Sequence, residues 1–281
     1  MFYLLIILLQ MKLLLNNNTL IRKLRHFNDI GFVPTMGGIH DGHISLIKKS
    51  NKFCKKTILS IFVNPKQFNS KKDFKTYPVN IKKDLSILKK IKGLNFVYIP
   101  KYKDVYKFKR KSKITIKKKD NILCAKFRKG HFEGVLDVMD RFTKLIKPKK
   151  IFMGQKDFQQ LFLVKNLTEK KYETKVISCK TIRDKNKIAL SSRNYLLGVK
   201  ELKVAAEISK KMLILKKTIK NKKNIHKYLF DEKKKLQKIY KIKIEYLELR
   251  NIKNLLITKN YYRSKIFISY FIKDVRLIDN F

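Results

Sequence analysis

The sequence predicts an α/β protein: a doubly wound parallel sheet over roughly the first 180 residues, followed by a smaller C-terminal α+β domain. Three observations carry this. Short β-rich runs alternate with helical patterns as far as Cys179, the pattern of a parallel sheet covered by helices on both faces. Beyond Cys179 the texture changes to a long Lys-rich helical stretch and then two strand-like runs. A glycine-rich turn holding two of the five histidines lies where the first buried strand gives way to a helix.

The elements follow in order. Residues 1–10, "MFYLLIILLQ", are apolar, but even extended through Leu15 the run is too short for a membrane span. It lacks the positive start and small-residue cleavage site of a signal peptide. With a second methionine at Met11, residues 1–10 are expected to be a dispensable extension. The first domain is placed at 11–181. "DIGFVPT", "KTILSIFVN", "NFVYIP", "KKIFMG" and "ETKVISC" read as its buried strands. Ile81, Leu85, Leu88 and Ile91 recur on one helical face. "GVLDVMDRFTKLI" and "FQQLFLVKNLTEK" read as further helices, with Gln159 on the helix surface. The second domain, 182–281, holds a helical stretch over about residues 201–240, then "KIEYLELR" and "KIFISYF" as antiparallel strands. No internal repeat is present.

Composition bounds the function. The formal net charge is +48, which suggests a basic protein binding nucleic acid nonspecifically. Of the 69 basic residues only ten are Arg, the better residue for forked recognition of phosphates and bases. The chain is also rich in Ile, Asn, Phe and Tyr, the other residues of A/T-rich codons. The charge is therefore read as solvated lysine, with weak, salt-sensitive attraction to polyanions and no specific nucleic-acid partner. One small basic cluster is "KFKRKSKITIKKK", residues 107–119. Cys54, Cys124 and Cys179 are far apart and in no metal or disulfide spacing, which fits a reducing cytoplasm.

The turn is "GFVPTMGGIHDGHISL". It sits at the carboxyl end of a strand, where open α/β sheets bind ligands. Gly37 and Gly38 allow close backbone approach, and a helix N-terminus offers N–H groups to a phosphate. His40 and His43, three apart at the helix start, can face one pocket. Two imidazoles and the helix amides suit charge developing on a phosphate; a metal site is the weaker functional reading, with no third ligand nearby.

The turn resembles the HxGH signature of the nucleotidyltransferases. "FVPTMGGIHDGH", "SIFVNPKQF", "GHFEGV", "GQKDFQQL", "IALSSRN" and "VRLIDNF" follow in the order found in the pantoate–β-alanine ligase (pantothenate synthetase) family. The alternative within the superfamily is another adenylyl- or cytidylyltransferase. The resemblance implies a Rossmann-like fold with a C-terminal lid, a homodimer, and ATP with Mg2+. The implied reaction joins pantoate to β-alanine through pantoyl adenylate, releasing pyrophosphate and AMP and yielding a coenzyme A precursor.

Residue by residue, the resemblance implies that Met36, Gly37, Gly38, Ile39, His40, Asp41, Gly42 and His43 wrap ATP, with His40 as proton donor and His43 on phosphate. Gly154, Gln155, Lys156 and Asp157 match nucleotide contacts, Lys156 on phosphate and Asp157 on ribose. Ile182 falls near the adenine. Leu190, Ser191, Ser192 and Arg193 match the mobile loop that closes on the triphosphate; a Ser-Ser-Arg helix cap is the plainer reading. His40, His43, Lys156 and Arg193 form the implied catalytic set. Asn64, Gln67 and Gln160 match the pantoate amides, and Asn64 also suits a turn before Pro65. Asp84 matches an acidic position, read as a metal ligand. Departures from the family pattern are Val79 after "YP", Lys129 for a proline, Ile182 for a valine, and "KNK" at 185–187 where the family has "ADG".

Overall fold

The computed structural model describes residues 11–107 and 114–281. The expectation for residues 1–10, and the middle of the basic cluster at 107–119, lie outside the described residues. The chain divides into two compact units. The first takes the described residues up to Ile116, with Lys129–Gln155 and Gln160–Lys180. The second takes Lys117–Arg128, Lys156–Gln159 and Thr181–Phe281.

The first unit is built on six parallel strands: β1 (Lys12–Leu14), β2 (Ile30–Thr35), β3 (Lys56–Ile61), β4 (Leu94–Tyr98), β5 (Lys150–Gly154) and β6 (Lys175–Cys179). Their order across the sheet is β1-β4-β3-β2-β5-β6. The chain winds outward from β2 through β3 to β4, then returns to place β5 on the other side of β2. The order reverses between β2 and β5, the topological switch point at whose carboxyl edge such sheets bind ligands.

Strand alternation puts Phe32 and Val33 on opposite faces. Val33, Leu59, Val97 and Phe152 pack on one face with Leu46 and Ile47 of helix α2 (Asp41–Phe53) and Leu88 of α4 (Ile81–Leu88). Phe32, Phe62 and Tyr98 meet Phe142 of helix α7 (His131–Ile146) edge-on at 5.9 Å. The sheet is thus clad on both faces. Helices α1 (Asn17–Leu24), α3 (Lys71–Lys75) and α5 (Tyr102–Tyr106) fill connections, while α6 (Cys124–Phe127) belongs to the second unit. Helix α8 (Phe158–Tyr172) joins β5 to β6.

In the second unit the helical stretch expected over 201–240 is two helices, α9 (Val199–Thr218) and α10 (Ile225–Tyr240). A 3-10 turn at Ile219–Asn221 separates them, and the Asn224 side chain caps α10 by accepting from the Lys227 amide at 3.0 Å. Both helices contribute to a core with the antiparallel sheet β7 (Lys243–Asn251), β8 (Ser264–Ile272) and β9 (Val275–Asn280). Strand β9 completes a sheet for which the sequence suggests only two strands. Among the described residues no helix is long and apolar enough to cross a membrane.

Candidate active site

The turn after β2 is built from its own hydrogen bonds. Gly37 and Gly38 are both left-handed, with φ of 85° and 64°. A Cβ on Gly37 would lie 2.9 Å from Asp84 Oδ2 and 3.2 Å from Ile61 Cγ2, so glycine is required there both sterically and by backbone conformation. Thr35 Oγ1 accepts from the Gly37 amide at 3.2 Å and donates to Ser60 O at 2.6 Å. Asp84, 2% exposed, accepts the Gly38 amide on Oδ2 (2.9 Å) and the Ile39 amide on Oδ1 (2.8 Å). Asp84, for which the sequence reading gave a metal role, thus anchors the turn through both carboxylate oxygens. Among the described residues, no group of three or more His, Cys, Asp or Glu side chains could hold a metal ion.

His40 is the N-cap of α2. Its Nδ1 accepts from the Gly42 amide at 3.1 Å, and the His43 Nδ1 accepts from the His40 amide at 3.4 Å. The His43 and Ile44 amides donate to His40 O at 2.8 and 3.1 Å. The imidazoles lie against each other, centroids 4.1 Å apart and planes inclined by 32°. Two consequences follow. The first concerns the amides: those of Gly37, Gly38, Ile39, His40, Gly42, His43 and Ile44 already have acceptors within the turn or on Asp84. The second concerns the rings. A nitrogen that accepts an N–H carries no proton, so this network assigns the proton of each neutral imidazole to Nε2. The chemistry of the turn is therefore two adjacent Nε2–H donors on a fixed helix start. Asp41 is exposed, and Gly42 lies in the first turn of α2.

The second cluster follows β3. Asn64, 1% exposed, begins a 3-10 turn at Pro65–Gln67. Its Nδ2 donates to Gln67 Oε1 (3.2 Å) and Gly134 O (2.9 Å), while its Oδ1 accepts from Tyr106 Oη (2.8 Å) and the Lys66 amide (3.3 Å). Four hydrogen bonds are the full capacity of an amide side chain. Asn64 thus orients Gln67. Gln67, 7% exposed, donates through Nε2 to Met36 Sδ at 2.9 Å, which brings this turn to the histidine turn.

Sequence reasoning left three supports of this cluster without a role. His131 Nδ1 lies 2.7 Å from Gln67 O. Tyr106, which holds Asn64, lies between Lys66 Nζ (3.9 Å from its ring) and Arg141 (4.7 Å). Burial, then the Asp137 charge, push its hydroxyl above the ordinary tyrosine range, so it stays a donor. Gly134 lets α7 approach closely: an added Cβ would meet Lys66 O at 2.3 Å and Gln67 N at 2.8 Å. "GHFEGV" displays His131 and Gly134, but spacing alone does not tell what they touch.

The remaining expected residues divide between the units. Gly154, Gln155 and Gln160 stay with the sheet. Gln155 Nε2 donates to Ser178 Oγ at 3.0 Å. A Cβ on Gly154 would meet no protein atom within 4 Å, so protein packing does not demand glycine there. Lys156 and Asp157 belong to the second unit with Ile182, Leu190, Ser191, Ser192 and Arg193. The Leu190 amide donates to Ile182 O at 2.9 Å, closing a small hairpin whose Lys187 takes φ of 72°. Ser191 Oγ accepts from the Arg193 amide at 3.3 Å and caps a 3-10 turn, Ser192–Leu196; Ser192 is buried. Gln159, read as helix surface, is instead 5% exposed, with Nε2 donating to Asp120 O (3.1 Å) and Ile122 O (2.8 Å).

Comparison with known proteins agrees with this architecture. Residues 11–281 match the family described as Pantoate-beta-alanine ligase. The chain is 37% identical over 274 residues to a pantothenate synthetase of Endomicrobium trichonymphae, covering 92% of each chain. It is similar to the crystal structure of pantothenate synthetase from Thermus thermophilus, with TM-score 0.89 and 26% identity over 96% of this chain and 99% of that one. It is also similar to pantoate-beta-alanine ligase from Francisella tularensis complexed with beta-gamma ATP and beta-alanine. That match has TM-score 0.83 and 34% identity, over 96% of this chain and 97% of the other. The family match over residues 11–281 and the 37% identity across 92% of the chain place it in the pantoate–β-alanine ligase family.

Proposed function

We propose that the chain condenses pantoate with β-alanine at the expense of ATP. The pantoate carboxylate attacks the α-phosphorus, forming pantoyl adenylate and releasing pyrophosphate. The β-alanine amine then attacks the acyl carbon, and AMP leaves with the carboxylate oxygen. No protein atom becomes covalently bonded, so positioning and charge stabilisation supply the rate.

The observation that carries the reading is the histidine cap at the switch point, with Nδ1 of both rings held by backbone amides. Its Nε2–H groups serve the charge that grows on phosphate oxygens in the first step. Gln67 and Gln160 take the pantoate hydroxyls and carboxylate, with Asn64 orienting Gln67. Gly154, whose added Cβ would meet no protein atom, and Gln155 line the nucleotide, and Asp157 takes the ribose. Lys156 and Arg193 handle the triphosphate, beside Ile182, Leu190, Ser191 and Ser192, and Thr181–Phe281 acts as the lid. Two copies of the chain form the homodimer. Among the described residues no cluster of three or more His, Cys, Asp or Glu side chains forms a cage for magnesium, and Asp84 accepts two amides of the turn. Mg2+ would arrive on the ATP phosphates.

The test separates the half-reactions by rapid quench. His40→Asn keeps a capping acceptor and His43→Gln keeps a side-chain acceptor, while both lose the imidazole. Each should slow adenylate formation by about 10²–10³, the usual loss for one preorganised charge-stabilising donor. ATP affinity and synthesis from preformed pantoyl adenylate should change much less. An unchanged adenylation rate, or equal losses in both halves, would show that the rings are purely structural.

A further inference from the structure

The C-terminal motif "VRLIDNF" has so far been given no part in the chemistry. The short segment Lys156–Gln159 follows β5 directly, yet it belongs to the second unit while Gly154, Gln155 and Gln160 remain with the sheet. The structure shows what fastens it. Asn280, 3% exposed, donates from Nδ2 to the Lys156 carbonyl at 3.0 Å. Phe158 packs edge-on against Phe267 of β8, with ring centroids 5.7 Å apart. Gln159 closes the far end on the carbonyls of Asp120 and Ile122.

The residue before Asn280 fastens a second segment. Asp279, 7% exposed, takes both arms of the Arg183 guanidinium, Nη1 to Oδ2 at 2.6 Å and Nη2 to Oδ1 at 2.9 Å. Arg183 also donates to Asn280 O (3.2 Å) and to Lys187 O (2.9 Å), and lies over the Phe281 ring at 4.4 Å. The Asn280 amide returns to Asp279 Oδ1 at 2.7 Å. Arg183 lies in the hairpin that leads directly into Ser191, Ser192 and Arg193. One end of one strand therefore grips both the Lys156 backbone and the root of the serine–arginine turn. A forked Arg–carboxylate pair sets orientation as well as distance, which a lysine in its place would not do.

We propose that Asn280 and the Arg183–Asp279 pair are positioning residues for the adenylation step, holding Lys156 and the Ser191–Arg193 turn in one fixed frame that meets the triphosphate as a unit. The inference rests on the reading that Lys156 and Arg193 handle phosphate. Asn280 and Asp279 each act through the backbone or side chain they hold, and an error of about 1 Å in such a frame costs on the order of 100-fold in rate.

The experiment is a double-mutant cycle read on adenylation, with synthesis from preformed pantoyl adenylate and thermal melting measured alongside. Asn280→Ala should slow pyrophosphate release by about 10- to 100-fold and spare the second half-reaction. Asn280→Ser, a shorter donor, should fall between it and the parent and supplies a second folded variant. Arg183→Lys, which keeps the charge and loses the fork, should raise the ATP requirement of the first step. Because Asn280 acts through Lys156, Asn280→Ala added to Lys156→Ala should cost little beyond Lys156→Ala alone. Full additivity, or equal losses in both half-reactions tracking the melting temperature, would overturn the positioning role. If Lys156→Ala slows adenylation and Asn280→Ala does not, only this inference fails. If Lys156→Ala itself has no effect, the phosphate role of Lys156 fails and the inference with it.

Discussion

Replacing Gly134 by alanine sets two general rules against each other. Gly134 lies inside the 16-residue helix α7, where alanine is favoured over glycine by about 0.5–1 kcal/mol. At this position, however, the new Cβ would meet Lys66 O at 2.3 Å, Lys66 C at 2.6 Å and Gln67 N at 2.8 Å. All three are backbone atoms, so no rotamer change relieves the clash, and helix and turn must part by about 1 Å. Overpacking of this kind costs about 1–3 kcal/mol, so Gly134→Ala should destabilise by a net ~1 kcal/mol and lower the melting temperature by about 2–4 °C. The same displacement stretches the Asn64 Nδ2 bond to Gly134 O and carries Gln67 with it. Pantoate use should suffer more than stability does: kcat/KM for pantoate should fall about 10- to 100-fold, with the ATP requirement less affected. Calorimetry and steady-state titration of each substrate decide it. A variant as stable as the parent, with unchanged use of pantoate, would show that the contact is soft and that Gly134 does not set the position of Gln67.

Two further predictions concern the second unit. Lys187 stands at the third position of "KNK", where the family pattern has glycine, and takes φ of 72°. Relief of a left-handed side chain is worth about 1–2 kcal/mol and the added freedom of an unfolded glycine costs about 0.5–1, so Lys187→Gly should stabilise by a net ~0.5–1 kcal/mol in urea unfolding. Lys187→Ala should show no such gain, and equal stability of the two variants would refute the strain. Burial first, then the Lys216 charge, lower the Lys265 ammonium from 10.5 to about 8. Below pH 8 both folded and unfolded states hold that proton and the folded state bears the full penalty. Between pH 8 and 10.5 the folded state has lost a proton that the unfolded state keeps, so this contribution to stability rises with pH. Lys265→Met should therefore stabilise at pH 7, by roughly 1–3 kcal/mol after allowance for partial exposure, and the gain should shrink at pH 9.5. The same gain at both pH values would rule out a titrating Lys265.

The central strands were the elements most legible in the sequence. Continuous apolar runs such as "ILSIFV" and "KIFMG" have no solvent face, and their alternation with helices leaves few topologies. Three-residue β1 has too little pattern to be read, and the α9–α10 break carries neither Gly nor Pro, only Asn224 as a cap. In the site, the order of the motifs disclosed the family and the histidine pair. It did not disclose how hydrogen bonds are distributed, because the partners are distant in the chain. Asp84 lies 46 residues from Gly38, and Asn64 lies 70 from Gly134. A buried acid or amide looks the same in sequence whether it meets a substrate or a backbone amide. The burial of Gln159, read as helix surface, was hidden in the same way, its partners Asp120 O and Ile122 O lying 39 and 37 residues away.

The carboxylate of Asp84 beneath the glycine turn has a thermodynamic consequence. A loop rich in glycine would ordinarily be a loose segment that loses much freedom when a nucleotide arrives. Here the Gly38 and Ile39 amides are tied to Asp84, a buried acid of α4. The freedom is given up once, when the chain folds, and little remains to be lost on binding. The Gly38 and Ile39 amides should therefore exchange with solvent as slowly as those of the central strands, although they belong to no strand or helix. What looks like the most pliable stretch of the chain is a part of its rigid frame.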